Sequence, residues 1–543
     1  MGYVKPGVEI TQVQRTFSPT LISPDLAAVV VGPAYKIVPS EGDGSYNYGK
    51  FTAGMTVTLS GVSASDPIYK TDASSIFMDL VMTSGTSAGS RLHIDHTQIS
   101  GIVDGTNTFT VSTGIASSTW NGASVYVGYR ALNMDPQLDG LLTIGSLSDI
   151  DAKFGGNQVQ IDNPLVFGIS LAMANTLTTV NAVNIKYDEF ASVTGSGTLS
   201  SEHIRARNIL ETKEVYAVAP LTYDSTEVGN YISHVNNMSV ATEKKERILF
   251  YGPEITWYNT GGSVVTDPTQ ADKTLTAQNI RDAATAVGMK RAFRCFPDVM
   301  YFKEGNRQVQ KLKPTYIASI YNLGTTEYAI LAKSYTLANG TTYQSGTIIT
   351  ETVYAALKAD TTYYQFDAYI PVPGSFFAAM VAGQVSGQLP EQGHTNLPIA
   401  GPAMLKYSTD FFTESQLNII AAGGVYIMTA VGGTVFCRHQ LSTDMTSIER
   451  RELNITKSVD FTAKYIRNVV AGYIGRSLIT PAFLTVLAAI LSGLGTTLKK
   501  EGRLNDFKVT GIKQDEVSKD TVRVSIEILP KYPVNYIKVD LIF

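Results

Sequence analysis

The sequence contains little cysteine and has no excess of positive charge. Its two cysteines, Cys295 and Cys437, stand far apart in 543 residues, which excludes a disulfide framework and a zinc knuckle. The formal net charge is −4, so no global basic field attracts nucleic acid. The charge is nevertheless uneven, because residues 401–543 carry 17 Lys and Arg against 13 Asp and Glu. That part has a net charge of +4 and residues 1–400 have −8.

Long apolar runs and a leader sequence are also missing. The longest run, Phe483–Leu494, is interrupted by Thr485, Ser492 and Gly493 and falls short of the ~20 residues that span a bilayer. The N-terminus has no charged region followed by an apolar one, so it does not match a signal peptide. We expect a chain that is made in a cytoplasm, inserts into no membrane and stays soluble until it assembles.

No arrangement typical of an enzyme stands out, although two strings imitate catalytic motifs. Residues 44–50 match most of a phosphate-binding loop, but Phe51 follows where a magnesium-binding Ser or Thr belongs. Residues 85–89 match a nucleophile elbow around Ser87, yet residues 91–94 alternate like a strand where that motif requires a helix. We therefore expect no catalytic residues and no cofactor.

Candidate metal ligands have equally ordinary explanations. His93, Asp95 and His96 are ligands by residue type, but neighbouring strand positions 95 and 96 point to opposite faces. Cys437 and His439 share a strand face, and Cys437 lies in an apolar strand where core packing is expected. The sequence predicts no metal site.

The residues that are present indicate a globular, strand-rich protein. The chain is 44% hydrophobic and 17% charged, with 46 Gly and 29 Tyr, which is not a disordered composition. At ~100–200 residues per domain, the length allows roughly three or four domains.

Short apolar strands are predicted at both ends of the sequence. Residues 8–13 form one strand after Pro6-Gly7, and residues 536–543 alternate polar and apolar side chains and form the other. The alternating strand 521–529 precedes the latter, and prolines that cannot donate to a ladder separate the two. Strands without an adjacent hairpin partner are normally paired inside the fold or added to a neighbour's sheet. We interpret both ends as arms.

Between the arms, the sequence predicts a multidomain α+β and α/β fold whose mixed-sheet core combines N- and C-terminal parts. Residues 26–34 are a continuous apolar run, typical of a strand buried on both faces. Strand and helix patterns alternate through the middle of the chain, and Gly-, Ser- and Thr-rich alternating stretches indicate sandwich- or barrel-like β insertions. The predicted parts are an arm and first core strand (1–40), an inserted β domain (41–140), an α/β domain (141–302), a second β insertion (303–367), a return to the body (368–400) and an α+β core domain with the terminal arm (401–543).

Several elements are predicted in detail from local signals. Ser148 and Asn163 are expected to cap helices, and Thr413 begins a capping box with Gln416. Gly432-Gly433 predicts a hairpin between 425–431 and 434–441. Residues 292–302 and 347–354 each predict a strand.

A set of short pieces, each unspecific by itself, follows one order over about 300 residues. The pieces are Pro6–Ile10, Val29–Ala34, Thr143–Asp149, Phe154-Gly155, Asn163–Leu165, Leu417-Asn418, Ser447–Arg451, Leu487–Leu494, Gly502, Phe507–Val509, Pro530 and Tyr536–Phe543. In that order the chain resembles the tail sheath proteins of contractile-tailed bacteriophages. Residues 41–140, 303–367 and the Cys437-Arg438-His439 segment depart from the family pattern.

The resemblance implies a structural subunit rather than an enzyme. Such subunits stack as hexameric rings around a tail tube in a virion tail that is assembled in the bacterial host cytoplasm. They contract to drive the tube through the host envelope and meet baseplate and tail terminator or neck proteins at the ends. The open alternatives are a static virion shell or adhesin with carbohydrate-binding β insertions, and a hydrolase that uses Ser87.

The arms and the basic C-terminal part supply the predicted interaction residues. We expect the arm strands to add to a sheet of neighbouring subunits and the basic residues to face an acidic tube. The arm residues are Val8, Glu9, Ile10, Thr11, Ile537, Val539, Leu541 and Phe543; the acceptor strand holds Val522, Val524, Ile526 and Ile528; the tube-facing candidates are Lys499, Lys500, Arg503 and Lys519.

Overall fold

The computed structural model describes residues 26–535 and 537–539, except for 39–46, 59–75, 82–90, 101–107, 112–120, 256–268, 304–316, 360–368, 406–411 and gaps of at most four residues elsewhere. The described residues form two compact units. The larger unit contains residues 26–456 and the segment that begins at Pro533, and the smaller unit contains residues 457–532.

A nine-stranded sheet forms the centre of the larger unit. Its strands are β1 (Ala28–Pro33), β2 (Leu141–Ile144), β3 (Val180–Ile185), β4 (Ala217–Pro220), β5 (Ile248–Tyr251), β6 (Ala292–Phe296), β7 (Pro398–Ile399), β8 (Val425–Val431) and β9 (Thr434–His439). Their spatial order is β2-β3-β1-β4-β5-β6-β8-β9-β7. The pairs from β3 across to β8 are parallel, whereas β2, β9 and β7 join antiparallel. The large mixed sheet with helices confirms the mixed α/β prediction.

Helices cover both faces of this sheet. The valines of β1 alternate between the two faces, so that both faces bury apolar side chains against helices. Val29 and Val31 pack in a core with Tyr231 and other residues from two helices on one side. Val30 lies on the opposite face, close to Gly168. The helices of the larger unit are α1 (Leu147–Phe154), α2 (Pro164–Met173), α3 (Leu199–Glu211), α4 (Ser225–Met238), α5 (Gln270–Val287), α6 (Glu351–Ala359), α7 (Gly374–Gly387), α8 (Glu414–Ala421) and α9 (Ile448–Arg451).

Of three predicted helix caps, one is misplaced, one has the predicted position but makes no cap bond, and one is confirmed. Ser146, not Ser148, caps α1 in a capping box with Asp149. Asn163 makes no cap bond to α2, because its amide exchanges two hydrogen bonds of 2.8 Å with the backbone of Tyr35. The Thr413 capping box of α8 is confirmed.

Two predicted strands are also corrected. The strand expected over 292–302 is divided into β6 and Val299–Lys303, since Pro297 cannot donate to a ladder. The stretch 347–354 holds only the two-residue strand Ile348–Ile349, after which α6 begins. Tyr354 of α6 is buried beside Ile349, so the helix serves the same small core as the strand.

The two predicted insertions contain β structure, and one strand of each lies against the other. Arg91–Ile94 in the first insertion runs beside Ile317–Leu323 in the second. The remaining strands of both regions and of the adjoining small sheets are Tyr35–Val38, Asn47–Lys50, Thr56–Thr58, Ile76–Val81, Ile99–Ser100, Thr108–Val111, Ser124–Leu132, Tyr187–Asp188, Val193–Thr194, Thr326–Leu331, Tyr335–Thr336, Thr342–Tyr343, Tyr369–Pro373 and Met404–Leu405.

The predicted domain boundaries stay predictions. Strand β6 lies in the predicted 141–302 domain and β8 in the predicted 401–543 domain, and the two strands pair in one sheet. The hairpin predicted around 432–433 is confirmed, since β8 and β9 pair antiparallel.

Candidate assembly interface

The smaller unit ends in an antiparallel hairpin, which is where the sequence places the acceptor strand. Helix α10 (Leu453–Val470) enters the unit, a short 3₁₀ turn (Ala471–Tyr473) follows, and α11 (Pro481–Lys500) leads into the hairpin strands. These strands are β10 (Leu504–Gln514) and β11 (Val522–Pro530). Among the described residues they form a two-stranded sheet, so both outer edges retain unpaired backbone groups.

Helix α11 packs on the base of the hairpin through a stripe of leucines. Leu487, Leu491, Leu494 and Leu498 are buried at helical spacing. Gly495 lies in the same stripe, where an added Cβ would come within 2.1 Å of the Phe507 ring. Only glycine permits this approach, which fixes the helix on β10.

Among the described residues, α11 also has the length and composition of a membrane span. An 18-residue window in it has a mean hydropathy of 1.7 and is 28% buried. The apolar run Phe483–Leu494 is short, but the helix extends beyond it to Lys500. A core helix of a soluble protein meets the same criteria, and the leucine stripe gives this one a protein partner.

Asp515 fixes the tip of the hairpin. Its carboxylate accepts hydrogen bonds from the Val517 and Ser518 backbone N–H groups at 2.8 and 2.9 Å and from the Arg523 guanidinium. The Ser518 bond, then those from Arg523 and Val517, lower the pKa of Asp515 to about 2. The turn therefore keeps its anion, and with it its shape, throughout the neutral range.

The apolar face of β11 is only partly covered. Val524 pairs across the hairpin with Ile512, and Ile526 pairs with Val509. Val524 is 36% exposed, while Val522, Ile526 and Ile528 are half-buried. An isolated hairpin of two strands is marginal in water, so this face and the open edges suit the binding of a further strand.

The basic candidates differ in how available they are. Lys500 and Lys519 are exposed, and Lys499 pairs with Asp506 at 3.1 Å. Arg503 is held within the unit, since its guanidinium lies 5.7 Å from the Phe461 ring centre and 3.6 Å from Glu501. Lys500 and Lys519 are thus the candidates best placed for a partner.

The arms lie largely outside the described residues. This holds for Val8, Glu9, Ile10, Thr11, Leu541 and Phe543. Ile537 and Val539 are described, belong to no strand and are 81% and 72% exposed. Their pairing with a neighbour stays a prediction.

The imitation motifs gain no support from the structure. Asn47–Lys50 is a strand, and Phe51 after it is buried, whereas a phosphate loop must lead into a helix. Ser87, with the rest of the elbow-like string, lies outside the described residues. Cys437 is fully buried, which confirms a core cysteine, and this burial raises the pKa of its thiol to about 12. No cluster of three metal-ligating side chains occurs among the described residues, where His93 is a strand residue and Asp95 and His96 are not included.

Part of the chain is similar to a phage protein of known role. No known protein-family profile matches the chain. The tail sheath protein of Mycobacterium phage Bxz1 is 28% identical over 171 residues, which are 31% of this chain and 28% of that protein. The chain is similar to a phage tail sheath protein. This confirms the resemblance stated from the sequence, and the match spans about a quarter of the curated relative.

Solved sheath structures show distant similarity. The contracted helical sheath of the anti-feeding prophage has 11% identity and a TM-score of 0.48, covering 75% of this chain and 90% of that one. The contracted sheath complex of an extracellular contractile injection system, PVC, has 13% identity and a TM-score of 0.47, covering 75% and 89%. The sheath tail protein of Desulfitobacterium hafniense has 9% identity and a TM-score of 0.39, covering 98% and 100%.

Two groups of buried polar residues are not predicted by any pattern in the sequence. Arg247 is fully buried beside His234 in the larger unit. Glu452 is fully buried and binds Asn535 from the segment after the hairpin. Neither pair has a recognisable spacing, since 83 residues separate Glu452 from Asn535.

Proposed function

We propose that this chain is a structural subunit of a contractile tail sheath, which polymerises as stacked hexameric rings around a tail tube and contracts to drive the tube through a host envelope. The observation that carries the proposal is the 171-residue similarity to a phage tail sheath protein. No catalytic role enters it, because the work of contraction comes from an assembled lattice that is not in its lowest state.

The open hairpin supports this proposal. Subunits that slide past one another need connections that survive the movement, and extended segments paired by main-chain hydrogen bonds can act as such hinges. β11 offers an edge without a partner among the described residues and an incompletely covered apolar face. In the proposed lattice, arms from neighbouring subunits bind there.

Electron microscopy of the purified protein tests the proposed function against its alternatives. A sheath forms helical tubes that occur in two lengths and widths. A static shell gives assemblies of one fixed geometry, and an adhesin binds carbohydrate without forming tubes. Assemblies that never change length, or no assembly at all, would count against the sheath.

The two insertions are proposed to lie on the outside of the tube, where they contribute no lattice contacts. Since their strands Arg91–Ile94 and Ile317–Leu323 lie together, they should be removed together. Deleting 41–126 and 304–368 leaves ends that are already adjacent, because Val38 pairs with Tyr129 and Lys303 pairs with Tyr369. We expect the double deletion to fold and form tubes, as measured by circular dichroism and microscopy.

The single deletion of 41–126 is the matched control. It exposes the edge of Ile317–Leu323 and should lower solubility without preventing assembly of the fraction that stays soluble. If the double deletion is soluble and folded but forms no tubes, the insertions contribute to the lattice and the outer placement is wrong.

Lys500 and Lys519 are proposed to face an acidic tube surface. Because exposed charge pairs contribute about 0.2–1 kcal/mol each and are screened by salt, the double change to Glu should weaken co-sedimentation with tube protein by roughly two- to thirtyfold at low salt. The difference should shrink at high salt. Lys153→Glu on exposed α1 is the control. If co-sedimentation with tube protein changes neither with salt concentration nor with the double change, the electrostatic part of the proposal is wrong.

A further inference from the structure

Glu452 is a carboxylate with no exposed surface, placed where α9 ends and α10 begins. A buried anion is costly unless hydrogen-bond donors replace its water. Its Oε1 accepts from His439 Nε2 at 2.9 Å and from Arg451 Nε at 3.4 Å. Its Oε2 accepts from Gln440 Nε2 at 3.1 Å. These donors all come from residues close to Glu452 in the sequence.

Gln440 is itself fixed so that its amide nitrogen faces the carboxylate. Its Oε1 accepts the His394 backbone N–H at 2.9 Å, and its Nε2 also donates to Asn454 Oδ1 at 2.8 Å. This leaves the amide no alternative orientation. The Gln440 donor beside Glu452 is therefore fixed by contacts that do not involve the segment after the hairpin.

The remaining donor comes from the segment that follows the hairpin. Asn535 Nδ2 lies 3.0 Å from Glu452 Oε1, and a carboxylate partner requires the amide nitrogen, not the oxygen, on that side. Pro533 of the same segment lies over Gly393, where an added Cβ would be 3.6 Å from the Pro533 Cβ. The segment thus contacts the 26–456 part of the larger unit twice within three residues.

The described residues beyond Asn535 are much more exposed than Asn535 itself. Asn535 is half-buried, whereas Ile537 and Val539 are 81% and 72% exposed. Contact with the larger unit is therefore concentrated at Pro533 and Asn535, and the apolar side chains beyond them face solvent.

We propose that Glu452 anchors the segment 533–539 at Asn535, fixing the point from which its apolar residues Ile537 and Val539 extend to a second copy of this chain. The inference rests on the proposed function, since the second copy is a neighbouring sheath subunit. The anchor explains how an arm can remain attached at its root while its outer part binds elsewhere. It also explains why a charge is buried beside a segment that is otherwise exposed.

Hydrogen exchange of the full-length chain, kept below the concentration at which it assembles, tests the anchor directly. Asn535→Asp sets a second carboxylate against Glu452, and Asn535→Ala removes the donor without adding charge. We expect peptides that cover 533–539 to exchange about tenfold faster or more in both variants, because a hydrogen bond to a charged group is lost. Peptides from β1 should not change, which shows that the larger unit remains folded.

Val534→Ala is the matched control, since Val534 is the neighbouring residue and is 79% exposed. It should leave the exchange of 533–539 unchanged. Equal exchange in the wild-type chain and both Asn535 variants would overturn the anchor, as would the same acceleration in Val534→Ala.

Tube formation is measured separately, so that the two proposals can fail independently. If the wild-type chain forms no tubes, the proposed function fails whatever the exchange data show about Asn535. If wild-type tubes form and the Asn535 variants give shorter or fewer tubes, the anchor serves assembly. Variants that exchange fast but assemble like the wild type would overturn the assembly role of the anchor.

Discussion

A chain that stops after Asn535 is expected to remain folded and soluble and to lose its ability to polymerise. The truncation keeps the anchor residue and removes only residues 536–543. Those that the structure describes, Ile537–Val539, are exposed and lie in no strand. No described core contact is lost, so the free energy of unfolding should change by less than about 0.5 kcal/mol.

The expected loss of assembly follows from the energetics of strand addition. An added strand gains about five or six backbone hydrogen bonds of roughly 0.5–1.5 kcal/mol each, and burial of a side chain such as Phe543 adds roughly 1.5–3 kcal/mol. Ordering the segment opposes this by about 1–2 kcal/mol per residue. One arm is therefore marginal, and a lattice that repeats the contact in every subunit is stable only while the arm is present.

The measurements are sedimentation and microscopy of the truncated chain beside two comparison variants. Val517→Ala alters an equally exposed apolar residue, 89% exposed, at the hairpin tip and should assemble normally. Val8→Pro removes one donor from the predicted N-terminal arm strand and should weaken assembly less than the truncation does. Full-length contractile tubes from the truncated chain would show that this segment pairs within its own subunit.

Sequence patterns predicted the elements whose signals are local or periodic. The unbroken apolar run of β1 indicated a strand covered on both faces, and all six of its residues are buried. The capping box at Thr413 and the hairpin around 432–433 follow equally local rules. The alternation in β11 predicted the strand that the structure shows.

The features that the sequence did not reveal depend on partners far away in the chain. Asn163 has the position of a helix cap, yet its amide is bound to Tyr35, 128 residues earlier. Residues 347–354 alternate like a strand, but Tyr354 and Leu357 are buried with Leu331 and Tyr335 only when the second half is helical. Tertiary packing overrode local propensity in both places. The buried Glu452 has no sequence signal, because its distant donor, Asn535, is an ordinary polar residue between Val534 and Tyr536.

Arg247→Met is expected to destabilise the larger unit by roughly 3–5 kcal/mol. Arg247 is fully buried just before β5, and its guanidinium ends the helix α3 by donating to the Leu210 and Lys213 carbonyl oxygens, each at 3.1 Å. It also donates to His234 Nε2 at 3.0 Å and to the Lys245 carbonyl at 3.2 Å. Four of its five N–H groups are thus used.

The protonation states favour this arrangement at neutral pH. Burial, assisted by the charge of Arg247, lowers the pKa of His234 to about 3, so its ring is neutral and can accept the bond. Burial lowers the pKa of Arg247 to about 10, so the guanidinium keeps its charge. Methionine fills a similar volume but donates nothing, and each buried acceptor left without a donor costs about 1–3 kcal/mol.

Chemical denaturation followed by circular dichroism measures the effect, with Arg281→Met as the matched control. Arg281 lies in the same unit on α5, has a side chain that is 38% exposed and pairs only with its neighbour Asp282 among the contacts the structure describes for its side chain, so its loss should cost less than about 0.5 kcal/mol. Arg247→Lys should fall between the two, because one ammonium cannot reach acceptors that a planar guanidinium spans. If Arg247→Met unfolds at the same denaturant concentration as Arg281→Met, the buried guanidinium does not hold the end of α3, and the carbonyls of Leu210 and Lys213 find other donors.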